Sequence, residues 1–292
     1  MQISTHNEWN TLKSIVVGIA RGANKPEDSH FETLGTYDKL ITLKADNELN
    51  TFVQVLEQED VIVYRPNYND FTQTKGMYNY CPRDRLLIVG DTVIDCNMQY
   101  DCREQEIKYL DFVTNSANKV IKVPREEQLR FDAANVCRID DTLLYLVSPS
   151  GTPQGAEWLQ QQFPNYKVEV THTYGGIHID STFIPVRQGL VVINKDRVNY
   201  EQVPNCFKDW DIIWLGNIDL TPKKFSGEAF ASNYIQLNFL MINPKLAVID
   251  DTPALKQKLL EYGVLSHTVP FTHSRTLGGG HHCVTLDLHR EK

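Results

Sequence analysis

A chain of 292 residues, 41% of them hydrophobic and 10% aromatic, can bury a large core without disulfide or metal staples, which excludes a disordered or stapled mini-protein. Its formal charge of -8 argues against a nucleic-acid binder, which needs a basic face, and mildly favours a cationic ligand. No apolar run approaches the roughly 20 residues of a membrane span, and Met1–His6 lacks the basic and apolar segments of a secretory leader. The expectation is a cytoplasmic protein with no membrane partner.

In chain order, Leu12–Gly18 reads as a first strand and residues 21–38, rich in Gly, Asn, Pro and charge, as a surface loop. Leu49, Phe52, Val53 and Leu56 recur at helical spacing within a helix over 40–58, followed by a strand at Val61–Tyr64. Residues 67–80 form a polar connection. Leu86–Val89 and Thr92–Ile94 flank Gly90-Asp91 as a hairpin, then come a helix over 103–113 and a strand at Val120–Val123. The same grammar recurs: a hairpin (Asn135–Ile139, Leu143–Val147), a helix over 155–163 and a strand at Val168–Val170. It recurs at Phe183–Val186, Leu190–Ile193 and Ile212–Leu215, and again at Phe239–Ile242, Leu246–Ile249, a helix over 253–262 and Ser266–Val269. Hairpin, helix and strand thus repeat at roughly fifty-residue intervals, about five times if the first and last strands complete one unit, which suggests radial or stacked modules. No composition break marks a linker, so residues 1–292 are expected to form a single domain.

Six cysteines without a Cys-x-x-Cys pair read as reduced thiols, and neither their spacing nor that of the histidines suggests zinc. His281-His282-Cys283 looks metal-like, but in an extended chain neighbouring side chains point to opposite faces, so no metal is expected there. The three glycines before it, Gly278-Gly279-Gly280, belong where backbone turns tightly or lies close to something else. Cys283 then stands between a bare loop and a strand-like alternation (Val284, Leu286, Leu288), where a small ligand can reach it.

Other polar interruptions of the apolar pattern fall at module ends. Asp132, in Phe131-Asp132-Ala133-Ala134-Asn135, reads alone as a capping or turn residue. His178 and Asp180 follow the Gly175-Gly176 hinge and, in a strand, share one face. Asp84, in Cys81-Pro82-Arg83-Asp84, and Arg197, after Asp196, each read alone as surface charges. Together they suit one chemistry. A nucleophilic Cys283 needs a base or cation such as His178, which in turn needs an orienting acid, with Asp132 the better candidate. Asp84 and Asp180 exceed what acyl transfer requires, but match a planar guanidinium. An arginine at the far end would hold a substrate carboxylate.

These residues resemble the arginine:glycine amidinotransferases and their inosamine-phosphate and lysine relatives, within the guanidino-group-modifying superfamily that includes arginine deiminases. The matching pieces are Glu8-Trp9 with Leu12 and Val16-Val17-Gly18, Pro82-Arg83-Asp84, Phe131-Asp132-Ala133-Ala134, His178-Ile179-Asp180-Ser181-Thr182-Phe183, Asp196-Arg197 and Gly278-Gly279-Gly280-His281-His282-Cys283. They come in the family's order and span nearly the whole chain. The resemblance implies an α/β fold, a five-bladed propeller with fivefold pseudosymmetry, and a lean to a homodimer. It implies Cys283 as nucleophile, His178 as general acid/base and Asp132 as its partner. Asp84 and Asp180 become the guanidinium clamp, Arg197 the carboxylate partner and Ser232 a substrate contact. The implied reaction moves the amidino group of L-arginine to an amine acceptor through an amidino-cysteine, releasing ornithine, with no cofactor. Hydrolysis to citrulline is the alternative, and a non-catalytic guanidino-binding protein the alternative of another class. Asn135, Ala231, the Gly175-Gly176-Ile177 loop and the compact connection between 113 and 131 depart from the family pattern around the pocket mouth, where the acceptor enters.

Overall fold

The computed structural model describes residues 1–172, 177–222 and 229–292. The Gly175-Gly176 hinge lies outside the described residues. The strands are β1 (Leu12–Val17), β2 (Asn24–Pro26), β3 (Leu34–Thr36), β4 (Ile62–Tyr64), β5 (Leu86–Val89), β6 (Thr92–Asp95), β7 (Lys119–Lys122), β8 (Val136–Ile139), β9 (Thr142–Leu146), β10 (Lys167–Thr171), β11 (Phe183–Arg187), β12 (Leu190–Asn194), β13 (Asp211–Leu215), β14 (Leu240–Asn243), β15 (Leu246–Ile249), β16 (Leu265–Thr268) and β17 (Thr285–Arg290). The helices are α1 (Lys39–Gln58), α2 (Pro82–Arg85), α3 (Asp111–Ser116), α4 (Pro153–Gln162), α5 (Pro253–Glu261) and α6 (Ser274–Leu277).

The repeat read from the hydrophobic pattern is present in the sheets. Five sheets have three strands each, in the orders β17-β1-β4, β5-β6-β7, β8-β9-β10, β11-β12-β13 and β14-β15-β16. In every one the first pair is antiparallel and the third strand joins the second in parallel. A parallel third strand needs a crossover, which is why a helix or coiled connection precedes it. The last strand, β17, completes the first sheet, so the chain ends pair with each other. Each sheet is open; none closes on itself.

Burial falls from the first two strands to the third. β5 and β12 are buried throughout, whereas β4, β7 and β16 show Ile62, Val120 and Leu265 to solvent. Helix α1 shows why the local pattern predicts well: Ala45, Leu49, Phe52 and Leu56 form one buried stripe, and the Asp38 side chain caps the first turn by accepting from the Leu40 N–H at 2.7 Å.

Three segments differ from the sequence reading. The surface loop over 21–38 holds the β2–β3 pair. The helix expected over 103–113 is a 3₁₀ run at Asp101–Tyr109 followed by α3; at three residues per turn, Arg103 and Glu106 are eclipsed and point inward as a buried pair. The His178–Asp180 stretch is a turn, with the N–H groups of Thr182 and Phe183 both bonded to the Ile179 carbonyl, so its two polar residues do not owe their common direction to a strand face.

Buried charge links the first strands of several sheets. Arg138 on β8, 1% exposed, donates to Glu8 (Nε to Oε1, 2.8 Å; Nη2 to Oε2, 2.5 Å), to Asp287 of β17 (2.9 Å) and to the Ile88 carbonyl of β5. Arg83 and Arg290 reach the same Asp287 at 2.6 and 2.8 Å, and Arg290 continues to the Met241 carbonyl of β14. Burial opposes charge at Asp287, but Arg290, Arg83 and Arg138 outweigh it and hold this carboxyl well below the usual range. Residues 4 and 5 run beside β17 and β5, hydrogen-bonded to Leu288 and Gly90, and bring Glu8 into this centre.

Candidate active site

Asp84 lies on α2, immediately before β5, and Asp132 precedes the 3₁₀ turn that leads into β8. His178 and Asp180 precede β11, Ser232 and Asn238 precede β14, and Cys283 precedes β17. Every sheet therefore contributes at the same point of its repeat, where the chain enters the first strand. Residues far apart in sequence meet because these entry points face one another. All seven candidates (Cys283, His178, Asp132, Asp84, Asp180, Arg197 and Ser232) line one cleft of about 340 Å³.

His178 is held between two carboxylates. Its Nε2 is 3.0 Å from Asp132 Oδ2, and its Nδ1 stands 3.7 Å from Asp84 Oδ1, beyond hydrogen-bonding distance. Burial alone would lower its pKa, but the charge of Asp84 and the bond to Asp132 prevail and push it up to about 9. Asp132 is itself fixed by the Gln99 N–H, 3.0 Å from its other oxygen.

Asp84 Oδ2 accepts from Arg103 Nη1 at 2.7 Å, while its Oδ1 is buried with no hydrogen-bond donor among the described residues. Its pKa is raised by burial, which outweighs the cations beside it. Arg103 is committed elsewhere too, through Nε and Nη2 to Glu106 and over the Tyr78 ring at 4.9 Å. Asp180 shows the opposite balance. Burial works against its charge, yet the hydrogen bond and charge of His282, with His178 and Asn238, bring it down to about 2.

Cys283 directs Sγ to Asp180 Oδ2 at 3.4 Å. Its thiol pKa is raised well above normal, first by burial and then by the charge of Asp180 and the neighbourhood of Cys81 and Asp84. The N–H groups of His282 and Cys283 both donate to Asn238 Oδ1, at 3.0 and 2.9 Å, and Asn238 Nδ2 donates to the Asp180 carbonyl at 3.1 Å. Arg197 closes the far side, donating to Ser181 Oγ (3.0 Å), Thr182 Oγ1 (2.8 Å) and the exposed Ser232 Oγ (3.4 Å). An aromatic wall of Phe31, stacked on Tyr100 at 3.8 Å, and Phe230 forms part of the rim.

The glycine loop turns tightly and lies close to its neighbours, as expected of it. Gly278, at φ +83°, lines the cleft and leaves room for the Phe230 ring. A Cβ on Gly279 would stand 2.5 Å from Cys81 Sγ, and one on Gly280 2.8 Å from Asn238 Cβ. Those two glycines permit close packing beneath Cys283 rather than approach of a ligand above it. Likewise His281-His282-Cys283 is a turn, not an extended stretch. His281 packs on Phe271 at 4.0 Å between centroids and bonds the Val269 carbonyl, while His282 bridges Asp180 and Glu8.

Arg103, Asn238, His282 and Asn135 join the site without standing out in the sequence as candidates for it. Only burial distinguishes Arg103 and Asn238 from ordinary polar residues, and that has no local sequence signature. Asn135 Nδ2 donates to the Ile177 carbonyl at 3.3 Å, next to His178.

No family model matches the chain. Inosamine-phosphate amidinotransferase 1 of Streptomyces griseus is 34% identical, covering 99% of this chain and 97% of that protein. L-arginine:L-lysine amidinotransferase of Pseudomonas savastanoi pv. phaseolicola is 26% identical over 99% of this chain and 94% of its own. The solved structure of a Streptomyces griseus inosamine-phosphate amidinotransferase superposes with a TM-score of 0.91 at 32% identity, over 99% of this chain and 97% of that one.

Proposed function

The chain is an enzyme of the amidinotransferase family, and we propose that it moves the amidino group of L-arginine to an amine acceptor through a covalent amidino-cysteine on Cys283. The observation that carries the reading is the buried Asp84 Oδ1, which lacks a donor among the described residues, beside a cleft that also holds Asp180 and a cysteine thiol. An unsatisfied buried carboxylate oxygen is unfavourable, and a guanidinium offers in-plane N–H groups to two carboxylates at once.

Burial, and after it the charge of Asp180 and Asp84, keeps Cys283 protonated. A guanidinium between Asp84 and Asp180 neutralises that field, so the donor itself favours thiolate formation, the displaced proton passing to solvent. The thiolate attacks the guanidinium carbon, the bond to the ornithine nitrogen breaks, and protonated His178 supplies the proton that the leaving amine takes. Asp132 keeps the ring oriented throughout. The acceptor amine then attacks the amidino carbon, returns a proton to His178, and Cys283 leaves as thiolate. Arg197, with Ser232, holds the carboxylate end of the donor.

The reading includes one catalytic domain over 1–292, its five sheets set as propeller blades around the Glu8–Arg138–Asp287 centre, acting in the cytoplasm as a homodimer without a cofactor. Incubation of the enzyme with arginine alone should release no more than a stoichiometric burst of ornithine, and sustained release should require an amine from the panel of acceptors. Cys283→Ala should abolish release, and mass spectrometry should find the amidino adduct on Cys283 of the native protein. Ornithine release by Cys283→Ala at the native rate refutes the reading, and citrulline formed from arginine alone would assign the hydrolytic alternative instead.

A further inference from the structure

Glu8, Arg83 and His282 belong to the motifs of this chain, yet the proposed chemistry gives none of them a step. They are connected. His282 Nδ1 lies 2.9 Å from Asp180 Oδ2, the same oxygen that faces Cys283 Sγ at 3.4 Å. On the other side of the ring, Nε2 lies 3.3 Å from Glu8 Oε2. Glu8 cannot shift easily: its Oε1 accepts from both the N–H and Nε of Arg138, and its Oε2 accepts from Arg138 Nη2. Arg83 adds a contact to Glu8 at 3.5 Å and donates from Nε to the His282 carbonyl at 2.9 Å.

We infer that His282 is a positioning residue, which ties the Asp180 carboxylate to the rigid ionic centre and so fixes the half of the donor clamp nearest the nucleophile. This rests on the reading of Asp180 as part of the guanidinium clamp. A carboxylate side chain has two torsions that neighbouring groups must fix if the clamp is to be preorganised. Asn238 holds its main-chain carbonyl, and His282 holds Oδ2. The main chain of His282 is anchored separately, by its N–H on Asn238 and its carbonyl on Arg83, Thr285 Oγ1 accompanying. Changing the ring therefore alters the tie while leaving the turn that presents Cys283. Binding geometry held to a fraction of an ångström is what distinguishes a preorganised site from a merely assembled one.

The two ring nitrogens can be separated by substitution. An Asn amide nitrogen falls near the place of Nδ1 and can still donate to Asp180; a Gln amide reaches instead toward the place of Nε2 and Glu8. Arginine affinity is measured by calorimetry in the Cys283→Ala protein, where no turnover occurs, and again with His282→Gln or His282→Asn added. The expected result is binding by the parent, a loss of roughly tenfold or more with His282→Gln, and recovery of most of that loss with His282→Asn. A general structural role would not favour Asn over Gln in this way. Equal affinity of parent and His282→Gln, or no advantage of Asn over Gln, overturns the inference while leaving the clamp intact. Absence of arginine binding by the parent overturns the clamp itself, and the inference with it. Should either variant fail to fold by circular dichroism, the Cys283→Ala protein labelled with ¹⁵N-histidine decides. Arginine must then shift the His282 Nδ1 resonance, and an unmoved resonance counts against the tie.

Discussion

Changing Asp84 to Asn removes one charge from the cleft and keeps the side chain's shape, so its effect on His178 can be worked from the geometry. The two groups are 3.7 Å apart. Coulomb's law over that distance gives about 1 kcal/mol at the dielectric of water and about 4.5 kcal/mol at an effective value near 20. That corresponds to a fall of roughly 1 to 3 pKa units, since one unit is about 1.4 kcal/mol. His178, pushed up to about 9 in the native protein, should therefore titrate between about 6 and 8 in Asp84→Asn. Asp132 remains at 3.0 Å and keeps the ring oriented, so the decrease should not carry the group far below an ordinary histidine. The assay is an NMR titration of the His178 Cε1 resonance in ¹³C-histidine-labelled protein, native against variant. A pKa within half a unit of native, or any rise, refutes the assignment of Asp84 as the principal charge acting on His178.

His178 also makes stability depend on pH. Its folded pKa of about 9 exceeds the ordinary value of 6.5, so its contribution is complete below 6.5 and is lost as pH rises through 9. The unfolding free energy from denaturant titration should fall over that window by at most about 3 kcal/mol, less for the part of the ring in contact with solvent, and the fall should shrink in His178→Ala. Gly279→Ala places a methyl 2.5 Å from Cys81 Sγ and 3.3 Å from Cys283 Cβ, so thermal unfolding should show a loss of about 1–3 kcal/mol, partly restored by adding Cys81→Ala. No loss would mean that the loop gives way freely. Arg138→Met leaves Glu8 and Asp287 short of a buried partner; chemical denaturation should reveal about 3–5 kcal/mol of destabilisation, moderated by Arg83 and Arg290.

The order of strands and helices was legible in the chain because it rests on local periodicity: Ala45, Leu49, Phe52 and Leu56 make a stripe whatever the rest of the molecule does. The repeated unit was legible for the same reason, and the motifs located Cys283, His178 and the three aspartates through their family likeness. Other features depend on neighbours distant in sequence. The Gly279 and Gly280 contacts involve Cys81 and Asn238, nearly two hundred and some forty residues away, so the sequence suggested an open path to the ligand where the fold shows tight packing. The span of His282 from Glu8 to Asp180 required segments from distant parts of the chain to converge. Composition and periodicity by themselves determined the core strands and the long helix α1, since backbone preference and one-sided burial act over a few residues. Tertiary structure alone decided the ionisation of the site, because burial and charge separation are properties of assembled space: two similar aspartates, Asp84 and Asp180, are driven in opposite directions, the first raised by burial and the second lowered chiefly by His282 against that same burial.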